Sequence, residues 1–173
     1  MESGVTVDAF ARLGAGEKRA ALGENICPVE VIRLGAVDED RWARWTAVGN
    51  PSAPAEVIRA GAGDAELRVR MAAVRNPSAP VDVIRARVGD NSPQVRAAAV
   101  GNPRAPAEVV RAGAGDEHPW VRKTAASSPC ITEEAAERLS TSKTPEIQRR
   151  LAKNPAVPER IRVVAVMRAG AFH

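Results

Sequence analysis

Tyrosine is absent, and Phe and Trp together supply only 3% of the side chains. A single thick core normally leans on large aromatics. Here the 45% hydrophobic content is carried by Ala, Val, Ile and Leu, which suits many thin layers instead. Only two histidines occur, His118 and His173. That excludes a histidine metal site and a base–nucleophile pair of the usual kind. Two cysteines, Cys27 and Cys130, cannot form a disulfide framework and are read as reduced thiols of a reducing compartment. Long apolar runs are missing too. The run Val163–Met167 is far shorter than a bilayer span. The opening MESGVTVDAFARLG has no basic flank before an apolar stretch. A cytoplasmic protein with no membrane association is therefore expected. The Gly-x-Gly pairs have no preceding strand and no phosphate-loop Lys, so no nucleotide is implied.

What the sequence has is repetition. From Asn76 it reads NPSAPVDVIRARVGDNSPQVRAAAVG, and from Asn102 NPRAPAEVVRAGAGDEHPWVRKTAAS. The same grammar precedes them from Asn50, as NPSAPAEVIRAGAGDAELRVRMAAVR. A fixed period near 26 residues, set by these starts, marks a stacked array. A degenerate unit covers 24–49, a drifting one 128–153, and a partial one opens at Asn154-Pro155. The chain is thus expected to be one repeat domain. Residues 1–23 would form an N-terminal half-repeat cap, 24–153 five units, and 154–173 a partial repeat with a C-terminal cap.

Each unit carries two helical signals. Asn-Pro opens a turn, since Asn bonds locally to backbone and Pro presets φ. A second proline (Pro28, Pro54, Pro80, Pro106, Pro158) is expected in the first helical turn, where no intrahelical donor is lost. Thr132 replaces it once and can serve as an N-cap. The pairs Val31-Ile32, Val57-Ile58, Val83-Ile84 and Val109-Val110 face inward. Gly61, Gly63, Gly113 and Gly115 weaken this segment as an α-helix, so one or two turns, with 3₁₀ character, are expected. The second segment starts near Pro93, Pro119 or Pro145 and carries Val95, Ala98 and Ala99 at helical spacing. No run alternates like a strand, so the fold class is all-α.

These residues resemble the leucine-rich repeat variant family, whose units look like N-P-x-x-P-x-x-(L/V)-(L/I) followed by D-x-x-x-x-V-R-x-x-(A/V). Asp64 with Val69-Arg70, Asp90 with Val95-Arg96 and Asp116 with Val121-Arg122 fit the second half, and Asp38 with Ala43-Arg44 fits loosely. The same half is similar to HEAT-like repeats. The resemblance implies a right-handed α-solenoid of paired short helices without a β-sheet. Where the family usually carries a second Leu this chain has Gly35, Gly61, Arg87 and Gly113, so thin packing of the first segment is expected. Some relatives hold an iron–sulfur centre on an N-terminal cysteine cluster. Two isolated cysteines cannot supply four ligands, so no cofactor and no metal are carried over.

Several columns recur down the array. Asp38, Asp64, Asp90 and Asp116 stand six residues before Arg44, Arg70, Arg96 and Arg122. Their matched numbers favour a structural ladder, in which each guanidinium bonds carboxylates and loop carbonyls, over an anion-binding rail. Asn50, Asn76, Asn102 and Asn154 are turn-formers in that ladder. Arg33, Arg59, Arg85 and Arg111 form a second column. Carboxylates three residues earlier on the same helix face (Glu30, Glu56, Asp82, Glu108) offset it. A mixed-charge protein-binding face is favoured there over a phosphate-tracking stripe. The +4 net charge is concentrated beyond residue 119, where Arg149, Arg150 and Lys153 form the centre of a basic cluster that also includes Arg138, Lys143, Arg160, Arg162 and Arg168. Trp120 and Trp42 occupy equivalent positions. Trp120 is equally open to a contact role and to packing, whereas Trp42 and Trp45 are expected to pack against the cap. The favoured function is a non-catalytic scaffold for an unknown protein partner, with Arg33, Arg59, Arg85, Arg111, Trp120 and the basic end as candidate contacts. The alternative is nucleic-acid backbone binding through that basic end, and an enzyme of HEAT-like type is a remote third.

Overall fold

A computed structural model describes residues 5–24 and 27–170. Thirteen α-helices and no strand occur among the described residues. The fold is therefore all-α, and it is repetitive. After α1 (Val7–Ala11) and α2 (Ala15–Gly23), helices come in pairs: α3 (Val29–Gly35) with α4 (Arg41–Gly49), and α5 (Ala55–Ala62) with α6 (Leu67–Arg75). Next come α7 (Val81–Arg87) with α8 (Pro93–Val100), α9 (Ala107–Ala114) with α10 (Pro119–Ser127), and α11 (Glu133–Ser140) with α12 (Pro145–Lys153). The last is α13 (Glu159–Gly170). His173 and the first residues of the expected cap lie outside the described residues, as do Asn25 and Ile26.

The chain divides into two compact units, Met1–Val83 and Ile84–His173. In the first, α2, α4 and α6 stack in sequence as one layer, α3 and α5 pack on α4, and α1 lies on α3. Leu22, Ile32, Val48, Ile58 and Val69 are fully buried between the layers. In the second, α8, α10 and α12 stack, and α9, α11 and α13 lie beside them. Ile84, Leu139, Ile147 and Leu151 fill that core. Side chains of this size contribute roughly 1.5–3 kcal/mol each on full burial, so stability is spread over many small seams.

Two expectations about the first segments are corrected. The segments have the expected length, two turns of 7 or 8 residues, but they are α-helices without 3₁₀ character. They also do not pack thinly. A Cβ on Gly35 would lie 2.6 Å from the Leu22 methyls, and one on Gly61 would lie 2.5 Å from a Val48 methyl. The glycines are the sockets into which the previous second helix presses its branched side chain. Close approach outweighs the propensity penalty of glycine.

Caps fix the helix starts. Pro28, Pro54 and Pro106 are N-cap residues, one position earlier than expected, whereas Pro93, Pro119 and Pro145 open the second helices. Thr132 accepts from the Ala135 N–H as a side-chain N-cap. His118 does the same, its Nδ1 accepting from the Trp120 N–H at 3.2 Å. That use of the ring explains an isolated histidine.

Candidate interaction surface

The loops between helices are closed by side chains of the neighbouring repeat. Asn50 Nδ2 donates to the Leu22 and Glu24 carbonyls at 2.8 and 3.0 Å, while its Oδ1 accepts from the Ser52 N–H. Asn76 repeats the motif one step on, donating to the carbonyls of Val48 and Asn50. Asn154 donates to those of Ala126 and Ser128. Asn102 is equally buried. Each of these bonds reaches 26 or 28 residues back, so the turn-forming Asn also staples one repeat to the one before.

The Asp and Arg columns form a second seam. Arg44 grips Asp64 with two nitrogens, at 2.8 and 3.3 Å, and donates to the Asp38 carbonyl. Arg96 grips Asp116 at 2.8 and 3.0 Å and donates to the Asp90 carbonyl. Arg70 and Arg122 make the matching carbonyl bonds, to Asp64 and Asp116. The carboxylates also close the turn that leads into the next helix, Asp38, Asp64, Asp90 and Asp116 each accepting the N–H of the N-cap residue two positions on. Burial alone would raise Asp64 and Asp116. The Arg44 and Arg96 guanidiniums and those N–H groups outweigh it and hold both below the usual carboxylate range. Asp38 is held down in the same way, against burial, by Lys18 and the Asp40 N–H.

Two members of this seam are less visible in the sequence. Lys18 stands one repeat before Arg44 and bonds Asp38 at 2.7 Å. Gln148 stands one repeat after Arg122 and donates to the carbonyls of Leu139, Ser140 and Ser142. Counting 26 residues outward from the Arg column finds both, although neither is an Arg.

The first-helix arginines are placed differently from expectation. Their main partners lie in the following repeat, not three residues back on their own helix. Arg33 bonds Glu56 at 2.9 Å, Arg59 bonds Asp82 at 2.9 Å, Arg85 bonds Glu108 at 2.7 Å, and Arg111 bonds Glu134 at 3.4 Å. A helix crossing aligns residue i with i+23, and that pairing is closer than the i,i+3 contact of Arg33 with Glu30, at 3.9 Å. Charge in these columns is answered by the protein itself. The basic end is also partly answered: Arg149 and Arg150 both hold Glu146, at 3.3 and 2.9 Å, and Arg160 holds Glu133 and Glu137. Lys153 is exposed.

The outward face of the second helices differs from repeat to repeat. On α10, Trp120 is 42% exposed. On α4, Trp45 is exposed to the same extent, which corrects its expected burial against the cap. Trp42 is half-buried and meets Trp45 edge-to-face, with centroids 6.0 Å apart. The Arg68 guanidinium lies 5.2 Å from the Trp42 ring centroid, and that of Arg41 5.6 Å. Between α4 and α6 runs a groove of about 420 Å³, lined by Trp45, Met71, Arg68 and Arg75, with Pro51 and Pro77 in its wall. No carboxylate is among its lining residues. The signal was available as a column: at one fixed position of the repeat stand Arg19, Trp45, Met71, Ala97, Lys123 and Arg149, varied where the position before it keeps Arg44, Arg70, Arg96 and Arg122.

Among the described residues no cluster of three His, Cys, Asp or Glu side chains could hold a metal ion, and no helix is long and apolar enough to cross a membrane. Cys27 and Cys130 are free thiols. Burial, then the nearby Glu24 carboxylate, push the Cys27 thiol up.

The fold is shared with a solved structure described as a leucine-rich repeat variant with a novel repetitive protein structural motif. The TM-score is 0.67 at 22% identity, over 94% of this chain and 71% of that one. No family model and no curated protein matches the chain.

Proposed function

We propose that this chain, built on the leucine-rich repeat variant fold, is a non-catalytic scaffold whose second-helix face binds a protein partner. The observation that carries the reading is the contrast between its surfaces. The first-helix arginines are neutralised by carboxylates of the next repeat. The second-helix face instead offers exposed Trp45 and Trp120 and a groove whose two guanidiniums face no lining carboxylate. Trp is enriched among the residues that anchor protein interfaces, and a preordered scaffold loses little entropy on binding.

The test is capture of partners by the immobilised chain from its native cell extract, with Trp45→Ala, Trp120→Ala and Arg85→Glu variants of unchanged helical circular dichroism. A discrete partner released by either Trp variant and retained by Arg85→Glu supports the reading. A partner released only by Arg85→Glu moves the interface to the first-helix layer.

Nucleic-acid backbone binding through Arg149, Arg150 and Lys153 is the second reading. It draws on the exposed Lys143 and Lys153 and is weakened by the Glu146 pairs of the two arginines. Binding of random duplex DNA at ~50 mM salt, falling steeply as salt rises, would favour it.

A further inference from the structure

We infer that the groove between α4 and α6 takes an acidic peptide segment in which a bulky apolar side chain is flanked by carboxylates. This rests on the scaffold reading and names the chemistry of one of its sites. The walls supply an exposed indole, Trp45, and the adaptable thioether of Met71, with Pro51 and Pro77 also in the lining. Such a lining accepts a Phe- or Leu-sized side chain without demanding one shape. The uncharged polar side chains lining it, Thr46, Asn50 and Asn76, are already engaged. Asn50 and Asn76 give their amide nitrogens to carbonyls and their oxygens to the Ser52 and Ser78 N–H groups. Recognition therefore works through side chains, not by adding a strand to an open backbone edge.

Charge sets the flanks. Arg68 and Arg75 are the charged residues of the lining. Arg68 is held against the Trp42 ring, which fixes its direction before any ligand arrives. Arg68 and Arg75 stand at the two ends of α6, roughly 10 Å apart along its axis at 1.5 Å per residue, about the length of three extended residues. One apolar side chain between two carboxylates thus spans the site. A single-stranded nucleic acid would need a track of cations and several stacking rings, and this groove has two guanidiniums and one exposed ring.

The test uses fluorescein-labelled peptides with a central Phe between two Glu on each side in a Gly/Ser frame. The controls are the same peptide with Ser for Phe, the same with Lys for every Glu, and an oligothymidylate of similar length. Fluorescence anisotropy is read on the full chain. The Glu/Phe peptide is expected to bind at least about tenfold more tightly than each control, a gap of about 1.4 kcal/mol. Trp45→Ala should weaken it by about 30-fold, and Arg75→Glu should invert the preference between Glu and Lys peptides. Equal binding of Glu and Lys peptides, tighter binding of the oligothymidylate, or no peptide tighter than about 1 mM overturns the inference. If the peptides fail while Trp120→Ala still releases a captured partner, the groove assignment falls and the scaffold reading stands. If neither occurs, both fall.

Discussion

The side-chain amide of Asn76 donates to the backbone carbonyl of Asn50, its own counterpart one repeat earlier, at 2.9 Å. Both residues are buried, so the bond has no water to replace it. The same side chain donates to the Val48 carbonyl and accepts from the Ser78 N–H. One residue therefore closes its own turn and holds the preceding one.

Replacing Asn76 with Ala removes the donor to two carbonyls and the acceptor of one N–H. The expected loss is about 1–3 kcal/mol of unfolding free energy, read as a lower urea midpoint. Asn76→Asp is expected to cost more, because it keeps the acceptor and turns an anionic oxygen towards two carbonyls. An Asp variant as stable as the native chain would show that the amide donor is dispensable.

Gly61 tests the socket. Gly→Ala in a helix interior normally gains about 1 kcal/mol, but here the new methyl would meet Val48 and overpacking costs about 1–3 kcal/mol. Gly61→Ala is expected to destabilise, and adding Val48→Ala should recover part of the loss. Gly89→Ala, with nothing within 4 Å of the new methyl, is expected to be neutral or stabilising. Thermal unfolding of these three variants, with Val48→Ala alone as the reference for the pair, checks this.

Much of this was legible from the repeat alone. Asn, Asp and Arg recur at fixed steps, and their partners follow once one repeat lies against the next. The all-helical class followed from Pro and Val spacing. The α form and close packing of the first helices did not, because glycine at positions 35, 61 and 113 reads locally as a weak point. Only the Leu22, Val48 and Val100 side chains pressing on those glycines explain them. The groove was hidden for the opposite reason. Trp45 and Met71 do not repeat each other, and an irregular position looks like an end effect until the variable column is traced. The partners of Arg33, Arg59, Arg85 and Arg111 were hidden by geometry, since a 23-residue offset is not the repeat length.

Acid should weaken the fold. Asp38, Asp64 and Asp116 have carboxyls held below their ordinary range, so at neutral pH their ionised forms favour the folded state. The unfolded chain takes up protons first, near its ordinary Asp pKa of about 3.9. Stability is then fully present above that pH and is lost as pH falls through the lower folded values. A urea midpoint flat from about pH 6 to 5 and falling below about pH 4 is expected. Asp64→Asn should flatten that fall.

The most direct test of the structural account is a double-mutant cycle on Arg96 and Asp116, whose side chains are 11% and 9% exposed. Urea unfolding of the native chain, Arg96→Ala, Asp116→Ala and the double variant gives their coupling. If consecutive repeats are locked through this seam, the coupling is about 1–3 kcal/mol and changes little with added salt, since a sheltered pair is weakly screened. Single-variant costs that simply add, within about 0.3–0.5 kcal/mol, would contradict it.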